Sequence, residues 1–404
     1  MRQVILSNGY GQFPIARLAE NLHQRGALAA LLTGAYPKSG LQRLLKLSSG
    51  SDGLRRLMER GVDIPDRLVR PYWRGELPHQ MGQVLGHRGR ASQAERLVAK
   101  SMDGYAAWAA RSLASFRGDQ ADVYHFRAGM GGSSLDKATS LGMKVLCDHS
   151  IVHPRTLAGL VNGNGGLTTN LNALWSRVDA DIQRADALIV NSEFVASTCR
   201  AAGIVEIPIF VAYTGVDPSL IRVMDGVAPT ERWNSVRGLF AGTLEKRKGI
   251  DTVVRAIRLV SQNTAEWTII GSWELDSSDV AASLPDHVVH KKPLPHSQLA
   301  VEMVSANLFV FPSRAEGSAR VVAEALTAGC YVITTENAGS ITRDGIDGRL
   351  IRPGDDRELA RAVDEYASMA PSERQARSIE TMRYARAKLN EGAYTSSVMS
   401  AYGK

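Results

Sequence analysis

Short runs of apolar, largely β-branched residues recur along this chain, each followed by a glycine-marked turn and a stretch of helical periodicity. A first set lies at residues 2–7, 122–126, 144–147, 187–191 and 207–212, and a second at 237–241, 266–271, 307–311 and 331–335. A strand that is apolar on both faces has to be covered on both, and parallel sheets flanked by helices do this. The pattern predicts an α/β fold with parallel sheets. At 404 residues the chain exceeds the usual size of one hydrophobic core, so the two sets are expected to form two domains.

Residues 1–215 are assigned to the first domain and 235–385 to the second. Weak periodicity, Pro218, Gly226 and Pro229 make 216–234 the expected linker. Residues 386–404 are expected to form a helix packing back toward the first domain. The first domain carries a long excursion at 36–120, and a glycine- and asparagine-rich run at 161–170 reads as a lid or a surface connection.

Cys147, Cys199 and Cys330 are far apart and show no CxxC spacing, which argues for a reducing compartment and against a disulfide framework or a zinc site. The opening MRQVILSNGYGQF does not read as a signal peptide, and no run approaches the ~18 apolar residues of a membrane span. A cytoplasmic location is expected. The charge is uneven: residues 38–100 hold 13 Lys and Arg against 6 Asp and Glu, an excess equal to the whole net charge of +7. Such a block suits lipid headgroups or nucleic acid, or is a solvated helical face.

The stretch 309–335, FVFPSRAEGSARVVAEALTAGCYVITT, is the most informative. A buried strand ends at Pro312, Glu316 and Gly317 follow, and a helix is expected from about Ser318. The unpaired N–H groups of a helix start at the carboxyl end of a parallel strand suit a diphosphate. Glu316 would stand beside whatever the phosphate carries. Glu324, about two turns along, would accept from ribose hydroxyls, or is an ordinary solvated residue. Upstream, GLFAGTLEKRKGIDTVVRAI runs a strand into Gly242, then Lys246, Arg247 and Lys248 in a short loop before Gly249. Cations there would offset the charge that grows on a leaving diphosphate.

These features resemble the retaining GT-B glycosyltransferases, specifically the large family four (glycosyl transferases group 1). The resemblance covers most of the C-terminal half: the segment 242–249, the strand ending in Gly271, the FPSxxEGx7E region and DGIDGRLIRPGD at 344–355. The N-terminal half matches more loosely. The resemblance implies two facing Rossmann-like domains with a cleft between them, and transfer of a sugar from a nucleotide-diphosphate sugar with retention of anomeric configuration. No acidic DxD-like pair stands at a strand end, so no obligatory metal or cofactor is expected. It implies that Lys248 contacts the donor diphosphate, with Gly242, Thr243 and Arg247 in the same loop. Glu316 then sits by the donor sugar, Gly317 and Ser318 offer amides to sugar or phosphate, and Glu324 binds the ribose. Gly9 and Gly11, after the first strand, bring backbone close to donor and acceptor. His125 and Arg127 occupy the family's His-x-His, and His149 follows the next strand; these are acceptor-side candidates.

The sequence also departs from the family. Thr243 stands where an arginine is usual, Tyr213-Thr214-Gly215 replaces Pro-Asn-Gly, and the loop Asn337–Arg343 is shorter than the usual Gly-Gly-x-x-Glu loop. Arg320 adds a cation beside the expected phosphate. The implied acceptor is a glycan or lipid-linked glycan of a bacterial-type envelope polysaccharide, so the basic block is expected to meet an anionic membrane surface rather than nucleic acid. A glycosidase-like double displacement fits poorly, because it needs two carboxylates ~5 Å apart across the bond. A Rossmann oxidoreductase is disfavoured by the lack of GxGxxG after any strand. A GT-B binding protein without transferase activity, or a nucleotide-sugar epimerase or hydrolase, is the alternative.

Overall fold

The computed structural model describes residues 2–403 apart from 12–13, 40–56, 59, 88–89, 117–119, 162–170, 228–231, 262–263 and 275–276. The glycine- and asparagine-rich run therefore lies outside the described residues beyond Val161, as does much of the basic block.

Two parallel sheets form, one in each half of the chain. The first has the order β3-β2-β1-β4-β5-β6-β7. Its strands are β1 (Val4–Ser7), β2 (Leu28–Thr33), β3 (Val69–Pro71), β4 (Val123–Arg127), β5 (Lys144–His149), β6 (Ala187–Val190) and β7 (Ile209–Val211). The second has the order β10-β9-β8-β11-β12-β13. It comprises β8 (Arg237–Ala241), β9 (Glu266–Ile270), β10 (Val288–Lys291), β11 (Leu308–Phe311), β12 (Tyr331–Thr334) and β13 (Gly348–Leu350).

Alternation along the strands builds two cores on the first sheet. Ile5, Tyr124, Phe126, Val145 and Leu188 enter one, and Val4, Leu6, Val123, Leu146 and Ile189 enter the other. Helix Glu391–Gly403 covers the second of these cores with Tyr394, Val398, Ala401 and Tyr402. The preceding helix, Pro371–Lys388, belongs to the other half: Ala385 and the following Leu389 enter the core of the second sheet. The chain thus crosses between its halves twice, and the crossings touch. The amide of Val216 donates to the carbonyl of Leu389 at 2.9 Å, and the α-carbon of Gly215 leaves no room for a side chain against the Asn390 backbone.

Part of the expected linker 216–234 is helical. Asp217 caps helix Pro218–Asp225, with Pro218 in the first turn, where its missing N–H costs nothing. Leu220 and Met224 enter the second core, and the buried Arg232 donates to the carbonyls of Ala306 (2.8 Å) and Ala328 (3.3 Å). A helix of eight residues is too short to display its period, and its apolar face shows only once packed.

Candidate functional site

Each sheet has a switch point where successive connections leave in opposite directions: between β1 and β4 in the first, between β8 and β11 in the second. A crevice opens at the carboxyl ends of the strands at such a point. Gly9 and Gly11 follow β1, residues 242–248 follow β8, and Glu316, Gly317 and Ser318 follow β11.

On the second sheet the chain leaves β8 at Gly242 and β9 at Gly271, and the two turns press together. A Cβ on Gly271 would fall well inside contact with the Gly242 carbonyl oxygen, and Gly271 has φ 155°. Thr243 follows, half-buried. The three basic residues then do three different things. Lys246 turns outward to Asp279, 3.1 Å away. Arg247 is held on its own protein: it donates to Glu316 Oε1 (2.8 Å), the Ala315 carbonyl (2.6 Å) and Glu245 Oε1 (2.6 Å). Lys248 stays by the Gly242 turn, with Nζ 4.0 Å from Glu245 Oε1 and four-fifths of its side chain buried. Lys248 is the cation left facing the turn; Arg247 positions Glu316.

The segment after β11 is fixed from two sides. The amides of Glu316 and Ala319 donate to the carbonyls of Asn337 and Ala338, each at 2.9 Å, so the shortened 337–343 loop supports the Glu316 turn directly. Helix Arg320–Thr327 starts two residues later than expected, with Ala319 at its cap, so Gly317 and Ser318 lie in the turn before it. Gly317 meets the first domain. Ser192 Oγ donates to its carbonyl at 2.5 Å, and a Cβ there would overlap the carbonyl oxygen of Ser150.

Glu324 is not a solvated helix residue. It is only 6% exposed, and no hydrogen bond to its carboxylate is found among the described residues. Burial raises its pKa, against the pull of Arg320 and His296. A carboxylate this far from bulk water gains from any group that donates to it.

On the first sheet, Gly9 and Gly11 follow β1 as expected, but the Gly9 amide already donates to the Tyr105 hydroxyl at 3.1 Å. That N–H is therefore engaged within the chain. His125 is fully buried in the middle of β4, with Nδ1 2.8 Å from the Tyr402 hydroxyl and Nε2 3.7 Å from Asp148. It is packed beneath the last helix and is fully buried. His149, at the end of β5, is 2% exposed; burial, with Arg127 and His153 nearby, pushes its pKa down to about 3 and keeps it neutral. Arg127 reaches the surface, donating to Asp148 Oδ1 at 3.0 Å and to Ser150 Oγ.

Arg127 also borders a cavity of about 320 Å³ between the β1 and β4 loops and helix Glu76–His87. Tyr10 and His79 stack there at 4.5 Å, and the buried Glu76 is clamped by Arg60 (2.8 Å), Gln80 (3.0 Å) and the Ala35 amide (3.0 Å). Sequence reasoning missed this wall, together with Ser150 and Ser192. Their types carry no signal, and only the fold brings them to the cleft.

Known proteins share this architecture. Sucrose-phosphate synthase of Thermosynechococcus elongatus superposes over 99% of this chain and 98% of its own, with TM-score 0.62 and 17% identity. The Anabaena protein Alr3699/HepE, solved with UDP and glucose, does so over 99% of both chains, with TM-score 0.60 and 14% identity. The two parallel α/β sheets facing one another form the GT-B fold. Residues 236–368 match the family model of glycosyl transferases group 1. Among curated relatives, the lipopolysaccharide core biosynthesis mannosyltransferase LpcC of Rhizobium leguminosarum bv. viciae is 30% identical over 46% of this chain and 55% of its own length. The D-inositol 3-phosphate glycosyltransferase of Paenarthrobacter aurescens is 33% identical over 32% of this chain and 33% of its own. The chain spans about half or less of the length of these relatives.

Proposed function

We propose that this protein transfers a sugar from a nucleotide-diphosphate sugar to a glycan or lipid-linked glycan acceptor, with retention of configuration. The observation that carries the reading is Glu324: a buried carboxylate with no hydrogen-bond partner among the described residues, on the helix that follows the Glu316–Gly317 turn. Ribose hydroxyls would supply the donors it lacks. UDP-glucose, bound by the Anabaena neighbour, is the first donor to test. An envelope-polysaccharide acceptor is supported by the lipopolysaccharide-core role in the name of the Rhizobium relative.

In this scheme Lys248 and the Gly242 turn meet the diphosphate, and Lys248 offsets the charge that grows on it. Glu316, fixed by Arg247, accepts from donor-sugar hydroxyls and holds the anomeric carbon in line with the acceptor. The acceptor hydroxyl attacks from the face that the diphosphate leaves. The C–O bond to phosphate breaks, the new glycosidic bond forms, and the departing phosphate oxygen takes the acceptor's proton. Neutral His149 stands near the acceptor side as a hydrogen-bonding group. No metal is assigned a step.

A second reading, a nucleotide-sugar binding protein without transfer, is favoured by one feature. Thr243 and the engaged Arg247 leave Lys248 as the single cation at the turn. Release of free nucleoside diphosphate from UDP-sugars separates the readings: transfer requires an acceptor, hydrolysis does not, and a binding protein releases none.

Lys248→Ala is expected to lower turnover about tenfold or more, and Thr243→Ala far less, because only the lysine carries charge to the diphosphate. Equal, small effects in a coupled diphosphate-release assay would place the phosphate elsewhere. For Glu324, two pH effects oppose one another. Nucleotide affinity needs the carboxylate, so it falls as pH drops through the raised pKa, sooner than an ordinary glutamate would cause. Stability of the ligand-free protein goes the other way. A carboxyl with a raised folded pKa contributes fully below its unfolded value and loses that contribution as pH rises through the folded one. Glu324→Gln should therefore melt higher than wild type at neutral pH, yet bind UDP about tenfold more weakly. Thermal melts and calorimetric titration check both halves, and a variant that melts lower and binds equally well would refute the assignment.

A further inference from the structure

Helix Glu76–His87 has three differently employed faces. Glu76, His79, Gln80 and Gln83 line the cavity beside Tyr10 and Arg127. Gly82 abuts Val98 of the antiparallel helix Ala91–Leu113. The remaining face carries Leu77 (67% exposed), Met81 (50%) and Val84 (49%), continued by Trp73 (46%) in the turn before the helix. Spacings of four and three residues keep Leu77, Met81 and Val84 within a stripe roughly 60° wide, centred roughly 120° round from the cavity face, and Trp73 stands before its first residue. They make up four of the ten large hydrophobic side chains exposed among the described residues. A contiguous apolar patch on an otherwise charged surface marks an interaction site.

Charge selects the partner. Arg74 lies beside the stripe in sequence, and Arg90, Arg96 and Lys100 lie on or next to the packed helix. All four are exposed, and none forms an ion pair among the described residues. They belong to the block at 38–100 that holds the excess of 13 basic over 6 acidic residues. An apolar stripe with basic neighbours, on a helix too short and mixed to span a bilayer, matches a surface-lying membrane contact. Trp73 at the end of such a stripe suits the headgroup level.

We infer that Trp73, Leu77, Met81 and Val84 seat the first domain on an anionic lipid surface, so that the adjoining cavity receives an acceptor presented from that surface. The acceptor clause rests on the proposed sugar transfer; the lipid contact does not. The seat has an electrostatic part, which salt screens, and an apolar part, which salt leaves intact.

Cosedimentation of the full chain tests it, with phosphatidylcholine vesicles and with vesicles containing about 30% phosphatidylglycerol. Wild type is expected to sediment with the anionic vesicles at low salt, less at high salt, and with neither to the same extent on pure phosphatidylcholine. Leu77→Glu with Met81→Glu should lower the bound fraction about tenfold, with an unchanged far-ultraviolet spectrum and unchanged UDP binding. Trp73→Phe should remove a blue shift in tryptophan emission that appears on vesicle addition. Wild type that ignores both vesicles, or a double variant that binds as wild type does, overturns the inference. So does a change of mass in light scattering from dimer to monomer on introducing the two glutamates, which would make the stripe a contact between copies. Vesicle binding without UDP binding would leave the seat standing and defeat the transfer reading instead.

Discussion

Replacing Glu316 with glutamine is expected to reduce sugar transfer by about 10²–10³-fold while leaving UDP affinity nearly unchanged. The substitution keeps the volume and one carbonyl-type acceptor, so Arg247 retains a partner and the turn from Ala315 to Gly317 keeps its backbone bonds to the 337–338 segment. What it removes, in the proposed scheme, is a full negative charge accepting from the donor sugar. The nucleotide is assigned to other groups, Lys248 and Glu324, which the change does not touch. Single-turnover rates with UDP-glucose, beside calorimetric titration of UDP, give the two quantities. Turnover at the wild-type rate would remove Glu316 from the reacting centre. A parallel loss of UDP affinity would instead mean that the Glu316–Arg247 pair organises the phosphate loop.

Gly317→Ala should be nearly as damaging for an unrelated reason. An added methyl group there has nowhere to go, because the Ser150 carbonyl of the first domain already occupies its place. Ser192 holds the Gly317 carbonyl at 2.5 Å from the same side. Relief requires the domains to separate by a fraction of an ångström or more, which displaces acceptor-side groups from the donor. Misplacement by about 1 Å costs on the order of 10²-fold in rate. Each domain keeps its own core, so melting temperature and UDP affinity should change little. Full activity in Gly317→Ala would mean that the domain contact seen here is absent from the reacting complex.

Most strands were legible because burial on both faces leaves an unbroken apolar run. The strands that were missed are the short or atypical ones. β2 reads LAALLT without β-branching until its last residue, β3 and β13 have three residues each, and β10 is an edge strand with polar residues. Glu316 and Glu324 were identifiable because a strand, a glycine and a helix fix their places in chain order. The division of labour among Lys246, Arg247 and Lys248 was not. Three adjacent residues in a tight turn point in three directions, and the partners Asp279, Glu316 and Glu245 that choose among them are set by tertiary structure. The fate of His125 was equally hidden, since its partner Tyr402 lies at the other end of the chain.

The two crossings of the chain lie side by side, with Val216 bonded to Leu389 and Gly215 against Asn390. Paired in this way they act as the spine of a book. Two tethers fastened together allow the covers to swing but resist sliding or twisting of one against the other. Any opening about this spine would part Gly317 from Ser150 and Ser192, and closing would return the same faces in the same register. Because helix Glu391–Gly403 is pinned beneath the first sheet by Tyr394, Val398 and Tyr402, the second tether is anchored at both ends. Cutting the chain near Asn390 would leave a single strand at the spine, and the covers would lose the register that sets Gly317 against Ser150 and Ser192.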